Sequence, residues 1–584
     1  MANRMREQSR QARHKQILAG LLILLATAVV YGPAIGGDFI WDDHVFLLEN
    51  PLIHADNGLR RFWFSTEATD YFPLTSSLLW FEWRLFGPDP TGYHIVNLLL
   101  HGLSAILLWL LLRRLRVPGA WPAALFFALH PVNAASAAWI SEHKNTLSAA
   151  LYLGALLAFV RHREPRRLPA ALRWDWCALG LFGLALLSKT SVVVLPGVLL
   201  LCVLWHEQKI PRQAWLDTIP FFALAAALGL VTVWFQAHNA IAGETVRTDG
   251  LLSRLATAGR AVWFYLAKAV LPARLSFIYP RWDLPAAGPA DFLPLAALAA
   301  TAALLWTLRR TPARGLLFAL AYFVLALMPV LGLLNMYWMQ FSLVADHWQY
   351  LAIMGIAALA GAACERLTRL PGRARYAGPT LAALLALTLG VLTHQRARIL
   401  ATEAALWPDT VARNPDGWLP RNNWGVLLIK QKKFEQAIAQ CSQALRIKPD
   451  YWVAHYNAGN AYLESGRPEQ AMRHYSESLR LKPGNPAALN NMGYAAARAH
   501  REDLAAHWYS RALEVDPFYN SAHVNLGDLL WREHQLEQAV FHYSQALLTD
   551  PNDAELHLKL AVILFELAKL EAATTPPTDA PDPH

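Results

Sequence analysis

Cysteine is scarce in this chain. Cys177, Cys202, Cys364 and Cys441 are the only four in 584 residues, far apart and without a C-x-x-C pair. That spacing excludes a disulfide framework and a cysteine-built zinc site. Charge is scarce as well, at 16% Asp, Glu, Lys and Arg against 55% hydrophobic residues. With a mean hydropathy of +0.23, this excludes an ordinary soluble protein and leaves a membrane protein with room for a second domain. The net charge of +9 invites a nucleic-acid partner, but no basic face exists to hold one. Lys and Arg sit in short stretches between apolar runs, where they report topology.

Residues 1–15 carry Arg4, Arg6, Arg10, Arg13 and Lys15 ahead of an apolar run from Ile17 to Ile35. The run is long and lacks a clean cleavage site, so it reads as an uncleaved first span with a cytoplasmic N-terminus. Further spans near the roughly 20 residues a bilayer requires fall at 93–112, 119–138, 143–160, 174–189, 191–206, 214–236, 291–308, 315–333, 347–364 and 376–394. Basic stretches recur at Arg113-Arg114, Arg161 to Arg173, Lys209 to Arg212, Arg309 to Arg314 and Arg366 to Arg375. Eleven spans put all of them on the cytoplasmic side and the polar loop 36–92 outside, provided that 251–271 is interfacial or re-entrant. The expected organisation is therefore an all-α multi-pass domain over 16–395, a connector at 396–417, and whatever follows on the outer side. In a bacterium that is the periplasmic face of the inner membrane.

Within the first outer loop stand Asp42 and Asp43, just past a span. Adjacent carboxylates there are costly unless they face water or chemistry. Neighbouring side chains point in two directions, so one acid can work while the other orients or binds. Two solvated loop acids are the plain alternative. The second span carries His94, Asn97 and His101 on one helical face, a stripe expected to line an interior cavity. It makes a weak metal site, because no carboxylate stands at ligand spacing. A second outer loop runs from His130-Pro131 through Trp139 to Glu142, Lys144 and Asn145, with proline opening a short helix. Lys189 lies at an outer turn, Lys268 in the interfacial helix, and Asp346-His347 opens a span from outside. Each alone reads as a helix-end anchor. Together they gather acids, histidines and lysines on the outer side only.

From Pro415 the chain repeats every 34 residues. Prolines stand at 415, 449, 483, 517 and 551, glycines at 425, 459, 493 and 527, and alanines at 437, 471, 505 and 539. This is the tetratricopeptide-repeat (TPR) signature. It predicts an α-solenoid over 418–571, four repeats plus a capping helix at 554–571, followed by a Pro/Asp-rich disordered tail at 572–584. Asn423, Asn457, Asn491 and Asn525 share the same spacing. Such a ladder either grips the backbone of an extended peptide acceptor or satisfies neighbouring repeats.

The motif order is Asp-Asp, Tyr71-Phe-Pro73-Leu-Thr, Gly-Tyr-His-x-x-Asn-x-x-x-His, His-Pro…Trp-Ile-x-Glu-x-Lys-Asn, Leu-Leu-Ser-Lys and Ala-Asp-x-x-x-Tyr, then tandem repeats. It resembles the bacterial type of transmembrane and TPR glycosyltransferases, relatives of the protein O-mannosyltransferases with the GT-C membrane fold. The resemblance covers essentially the whole chain. It implies inverting transfer of a sugar from a polyprenyl-phosphate carrier to a hydroxyl on the outer face, with an acid of the first loop as base. On that reading Asp42 or Asp43 takes the proton, while Lys189, Lys268 and His347 stabilise the leaving phosphate. His94, Asn97, His101, His130, Glu142, Lys144 and Asp346 line the cavity. The resemblance fixes no cofactor, and a divalent metal is allowed. Two positions depart from the family pattern: Ala135 stands where an acid is usual, and His347 replaces a permanently charged arginine. The competing readings are an inactive membrane-anchored repeat scaffold and an enzyme that transfers oligosaccharide en bloc.

Overall fold

In the computed structural model, which describes residues 2–162, 174–242, 245–282, 284 and 286–574, the run after Asp89 forms one unbroken helix, Pro90–Arg114. Pro90 supplies a first turn that needs no amide donor, and the Asp89 carboxylate caps the Thr91 N–H at 3.0 Å. Arg113 and Arg114 close the helix where its dipole favours cations. Among the described residues every element is helical. Contacts divide them into two units, Met1–Pro415 and Asp416–His584.

Among the described residues of the first unit, six helical stretches are long and apolar enough to cross a membrane: Arg13–Val30, Pro90–Arg114, Thr190–Glu207, Arg212–Ala240, Pro289–Thr307 and Gly372–Leu400. Trp176–Ser188 and Arg314–Val330 are shorter apolar helices. Several of the eleven expected spans are thus built from shorter pieces. The clearest correction is 119–138, whose helix runs only from Ala120 to Ala128. Pro131 forces His130 into extended backbone (φ −79°, ψ 127°), so the helix ends there. Residues 131–142 then fold through short turns and the small helix Ala134–Ala138, all buried. Close packing uses paired glycines. A Cβ on Gly119 would lie 1.9 Å from the Gly361 carbonyl, and one on Gly361 2.4 Å from that of Gly119, so the two backbones touch as small-residue crossings require.

The expected connector is not a linker. The helix Ala377–Leu400 runs into Thr402, which caps Glu403–Arg413, and Leu406 and Trp407 are fully buried in the first unit. Arg396 pairs with Asp409 at 3.0 Å and Arg413 with Asp409 at 2.8 Å, which pins this helix to the preceding one.

The second unit follows the 34-residue period. Helix pairs Trp418–Lys430/Phe434–Ile447, Trp452–Glu464/Pro468–Leu481, Pro486–Arg498/Glu502–Val515 and Asn520–Arg532/Leu536–Thr549 precede the helix Ala554–Thr574. The repeating glycines mark close helix contact: a Cβ on Gly459 would sit 2.5 Å from the Tyr475 ring. Ala437, Ala471, Ala505 and Ala539 are all fully buried. The basic stretch beyond His162, to 173, and the tail from 575 lie outside the described residues.

Candidate active site

The Asp pair sits on a turn held from three directions. Asp38 N–H donates to the Ala401 carbonyl at 2.7 Å, and Trp41 N–H donates to Glu403 Oε1 at 3.0 Å. Trp41 has a positive φ of 44°, a strained conformation for a bulky residue that persists only where its surroundings over-determine it. Its ring provides that constraint. It stacks on Trp139 at 5.8 Å and meets Phe277, Trp338, Phe341 and Trp407 edge-on.

The two acids have different surroundings. Asp43 is buried, and both its oxygens are occupied. Oδ2 accepts from Ile40 N–H at 3.0 Å, while Oδ1 accepts from the Ser141 N–H at 2.7 Å and its hydroxyl at 2.5 Å. Burial raises its pKa to about 6, against the pull of those three donors. Asp42 is partly accessible and makes no hydrogen bond or ion pair among the described residues. Desolvation pushes its pKa up to about 7, opposed by Lys144 and reinforced by Asp43, Glu142 and Asp70. A carboxylate tuned near neutrality suits general-base work.

Beside the pair lies a three-member charge cluster. Glu142 accepts from Lys189 Nζ at 3.2 Å and pairs with Lys144 Nζ at 3.3 Å. Burial alone would raise the Glu142 pKa, but Lys189 and Lys144 overcome it and hold the acid near 2. The remaining oxygen capacity of Glu142 is used by Asn145 Nδ2, which also reaches the His347 carbonyl at 3.0 Å and Ser136 Oγ at 3.0 Å. Asp70 faces the same lysines and takes a hydrogen bond from Gln236 Nε2. A cavity of about 350 Å³ opens among Phe46, Phe62, Asp70, Ser141 and Lys144.

Other expected residues serve different ends. Asn97 Nδ2 donates to the Ser136 and Trp139 carbonyls, both at 3.1 Å, and its Oδ1 accepts from Thr146 at 2.6 Å. His101 joins Tyr350 at 2.6 Å and the Ala128 carbonyl at 3.0 Å. His130 reaches the Ala269 carbonyl at 3.1 Å and accepts from Val132 N–H at 3.3 Å. These side chains are braces that satisfy backbone where short helices break off, rather than a cavity lining. His94 is buried at the same helix face. Lys268 is drawn away from the lysine cluster, because its ammonium donates to the Ala273 carbonyl at 2.7 Å and lies 5.6 Å over the Tyr279 ring. That tyrosine donates to Asp346 at 2.7 Å, so Lys268 and Asp346 form a separate group. There burial raises the Asp346 pKa to about 6. The His347 ring meets Trp338 edge-on at 4.8 Å and Trp139 at 5.8 Å. Among the described residues no three His, Cys, Asp or Glu side chains converge as metal ligands, and Asp43 and Glu142 already hold other partners.

Sequence reasoning missed four contributors. Ser141 stood as the unassigned x of Trp-Ile-x-Glu, and Asp70 immediately precedes the Tyr71-Phe-Pro73 motif. Asn239, which bonds the Thr66 and Ala68 carbonyls at 2.7 and 2.9 Å, comes from a distant helix end. The fourth is the pair His143–Glu82, buried at 3.3 Å, in which His143 directly follows Glu142 and Glu82 lies within the helix Pro73–Phe86.

The asparagine ladder divides. Asn457 Nδ2 donates to Asn422 Oδ1 at 2.9 Å, and Asn525 Nδ2 to Asn490 Oδ1 at 2.9 Å, so the amides bridge successive repeats. Asn491 and Asn525 also line a groove of about 720 Å³ with Asn460, Asn490 and Tyr494, whereas Asn423 and Asn457 do not.

Residues 70–235 match the family described as dolichyl-phosphate-mannose-protein mannosyltransferase. Segments 428–477, 456–520 and 524–574 match tetratricopeptide-repeat families. Over 538 residues the chain is 27% identical to the protein O-mannosyl-transferase Tmtc3 of Drosophila melanogaster, covering 76% of this chain and 57% of that protein. The chain is homologous to the protein O-mannosyl-transferases. The mouse protein O-mannosyl-transferase TMTC1 is 32% identical over 174 residues, 27% of this chain and 18% of its own length. The chain therefore spans little more than half of the fly relative and less of the mouse one. Of solved structures, YrrB, a TPR protein with an unusual peptide-binding site, is 23% identical with a TM-score of 0.25, covering 29% of this chain and 87% of that one. The mannosyltransferase match begins at Asp70 and contains Glu142, Lys144 and Lys189, while the Asp pair lies before it.

Proposed function

We propose that this chain is a membrane glycosyltransferase that moves a sugar, mannose by the names of its relatives, from a polyprenyl-phosphate donor to a Ser or Thr hydroxyl of a protein on the extracytoplasmic face. The observation that carries the reading is the division of labour between the acids. Asp43 is fully committed to Ser141 and Ile40, which leaves Asp42 as the carboxylate free to take a proton, within the field of Lys144. In the proposed reaction the acceptor oxygen attacks the anomeric carbon as its proton passes to Asp42, and the carbon–oxygen bond to the carrier phosphate breaks. Lys189 and Lys144 offset the charge that builds on the departing phosphate. Glu142 positions both ammonium groups and keeps their like charges tolerable at short range. The two lysines stand in for the guanidinium that His347 replaces. The repeats present the acceptor as an extended segment in the groove that contains Asn491 and Asn525.

The test is reconstitution of the full chain in vesicles with polyprenyl-phosphate mannose and a Ser/Thr-rich acceptor, with product read by intact-mass spectrometry. A +hexose product from the parent that the Asp42→Asn variant fails to make supports the reading. Equal product from the parent and the Asp42→Asn variant overturns the base assignment. Repeats that capture protein while no polyprenyl-linked sugar is ever transferred would favour the scaffold.

A further inference from the structure

A cavity of about 1130 Å³ in the first unit shares no lining residue with the Asp pair. It opens where the helices Pro90–Arg114, Leu195–Glu207, Arg314–Leu327 and Ile353–Leu367 end or begin. From Asn97, at the active-site end of the first of these, to Leu111 on the cavity wall is about 21 Å along the helix axis at roughly 1.5 Å per residue. The walls are apolar, and small residues leave them unfilled: Ala358, Ala362 and Ala363 line one side, and nothing approaches within 4 Å of the Cβ position of Gly315. The volume exceeds the roughly 300–1,000 Å³ typical of small-molecule pockets. The shape suits chains that run between helices.

The rim decides what kind of chain. Arg116, Arg314, Arg366 and Arg369 border the cavity, and no Asp or Glu does. Arg116, Arg366 and Arg369 are exposed and form no ion pair among the described residues. Arg314 is fixed across the mouth: its guanidinium donates to the Trp205 carbonyl and stacks 4.5 Å from the Trp205 ring. Unneutralised arginines at a helix-end crevice are a common form of anionic headgroup site, and planar guanidinium groups match phosphate oxygens.

We propose that this crevice binds one anionic two-chain phospholipid, its phosphate among the four arginines and its acyl chains between the helices. The crevice is offset by about 21 Å along the Pro90–Arg114 helix from its active-site end, so the lipid it holds is separate from the sugar donor. The proposal rests on the membrane character of the chain and not on the transfer reaction.

Native mass spectrometry of the detergent-purified full chain tests it, with phosphatidylglycerol, phosphatidylcholine, polyprenyl phosphate or inorganic phosphate added separately. The expected result is one phosphatidylglycerol retained, no comparable retention of phosphatidylcholine, and no competition from millimolar inorganic phosphate. The triple variant R116Q/R366Q/R369Q keeps the Arg314–Trp205 stack, and it should weaken retention on the order of a hundredfold, as expected for three basic groups near a headgroup. Ala358→Trp, which fills the crevice without altering charge, should also displace the lipid. Equal retention of the two phospholipids, or no change in either variant with folding intact by thermal shift, overturns the proposal. Preference for polyprenyl phosphate would reassign the crevice to the carrier, and displacement by inorganic phosphate would reduce it to a phosphate site. Either outcome also rejects the phospholipid.

Discussion

Ser141 donates both its amide and its hydroxyl to one oxygen of Asp43, at 2.7 and 2.5 Å, across 98 residues of chain. This contact joins the loop after the first apolar helix to the segment that carries Glu142 and Lys144. It makes Asp43 a fastener and leaves Asp42 beside it with a different task.

The first prediction separates the two acids. Asp42→Asn should cut kcat on the order of a hundredfold or more with little change in melting temperature, the usual scale for losing a general base. Asp43→Asn should lower the melting temperature, because it weakens a set of charge-assisted bonds each contributing about 1.5–3 kcal/mol. Transfer assays paired with thermal unfolding distinguish them. Equal kinetic losses without a stability difference would refute the division.

The pH dependence follows from the same pair. With the Asp42 pKa raised to about 7, kcat/KM should climb as pH rises towards 7 and level off above it, since only the ionised base accepts a proton. Stability should run the other way. Asp43 binds its proton more tightly folded, at about 6, than at the ordinary 3.8, so its contribution is complete below about 3.8 and fades as pH rises through 6. A kcat/KM profile flat from pH 5 to 8 would rule out Asp42 as the titrating base.

Glu142 holds two ammonium groups, so Glu142→Gln should leave Lys144 and Lys189 repelling each other. The expected result is a raised donor KM and a kcat loss of about tenfold or more, with Lys189→Gln affecting the same parameters. Steady-state kinetics against donor concentration provide the check. A Glu142→Gln effect confined to acceptor KM would place the cluster elsewhere in the reaction.

In the repeats, Asn491→Ala with Asn525→Ala should raise the KM for a full-length acceptor and spare kcat on a short peptide. Each of these amides, like that of Asn457, also bridges repeats, so every substitution should lower stability by about 0.5–1.5 kcal/mol per lost internal hydrogen bond. Asn457→Ala, outside the groove, should leave acceptor KM unchanged. Gly459→Ala, which drives a methyl into Tyr475, should cost about 1–3 kcal/mol. Thermal unfolding of the full chain measures these stability losses. Unchanged acceptor KM in the double variant would leave the groove without its proposed occupant.

Topology has its own test. Reporter fusions after Arg310 and after Pro551 should report cytoplasmic and external locations respectively, and the same sign at both would contradict the outward placement of the repeats.

Where a physical rule is local or periodic, the sequence was readable. The 34-residue series located the Gly459–Tyr475 contact region, and proline at 131 placed the short helix after it. Glu142, Lys144 and Lys189 were picked out individually. Their convergence was not visible, because it depends on the break at His130 that folds 131–142 inward. The stripe His94, Asn97 and His101 shows the converse limit. A polar face in an apolar helix must find partners, but periodicity cannot say whether those partners are a cavity or the carbonyls of broken helix ends such as Ala128. Ser141 and Gln236 carried no signal at all, since a serine or glutamine at a helix end is ordinary.

The helix Glu403–Arg413 sets where the chain can be cut. Ala401 and Glu403 hold the backbone at Asp38 and Trp41, and Trp407 meets the Trp41 ring. A protein ending near residue 395 would keep its apolar helices and both aspartates yet lose the brace that sustains the left-handed turn at Trp41. Trimming away the repeats without disarming the membrane half therefore means stopping no earlier than Pro415, and the last twenty residues before that point belong to the reaction centre's scaffolding as much as the first loop does.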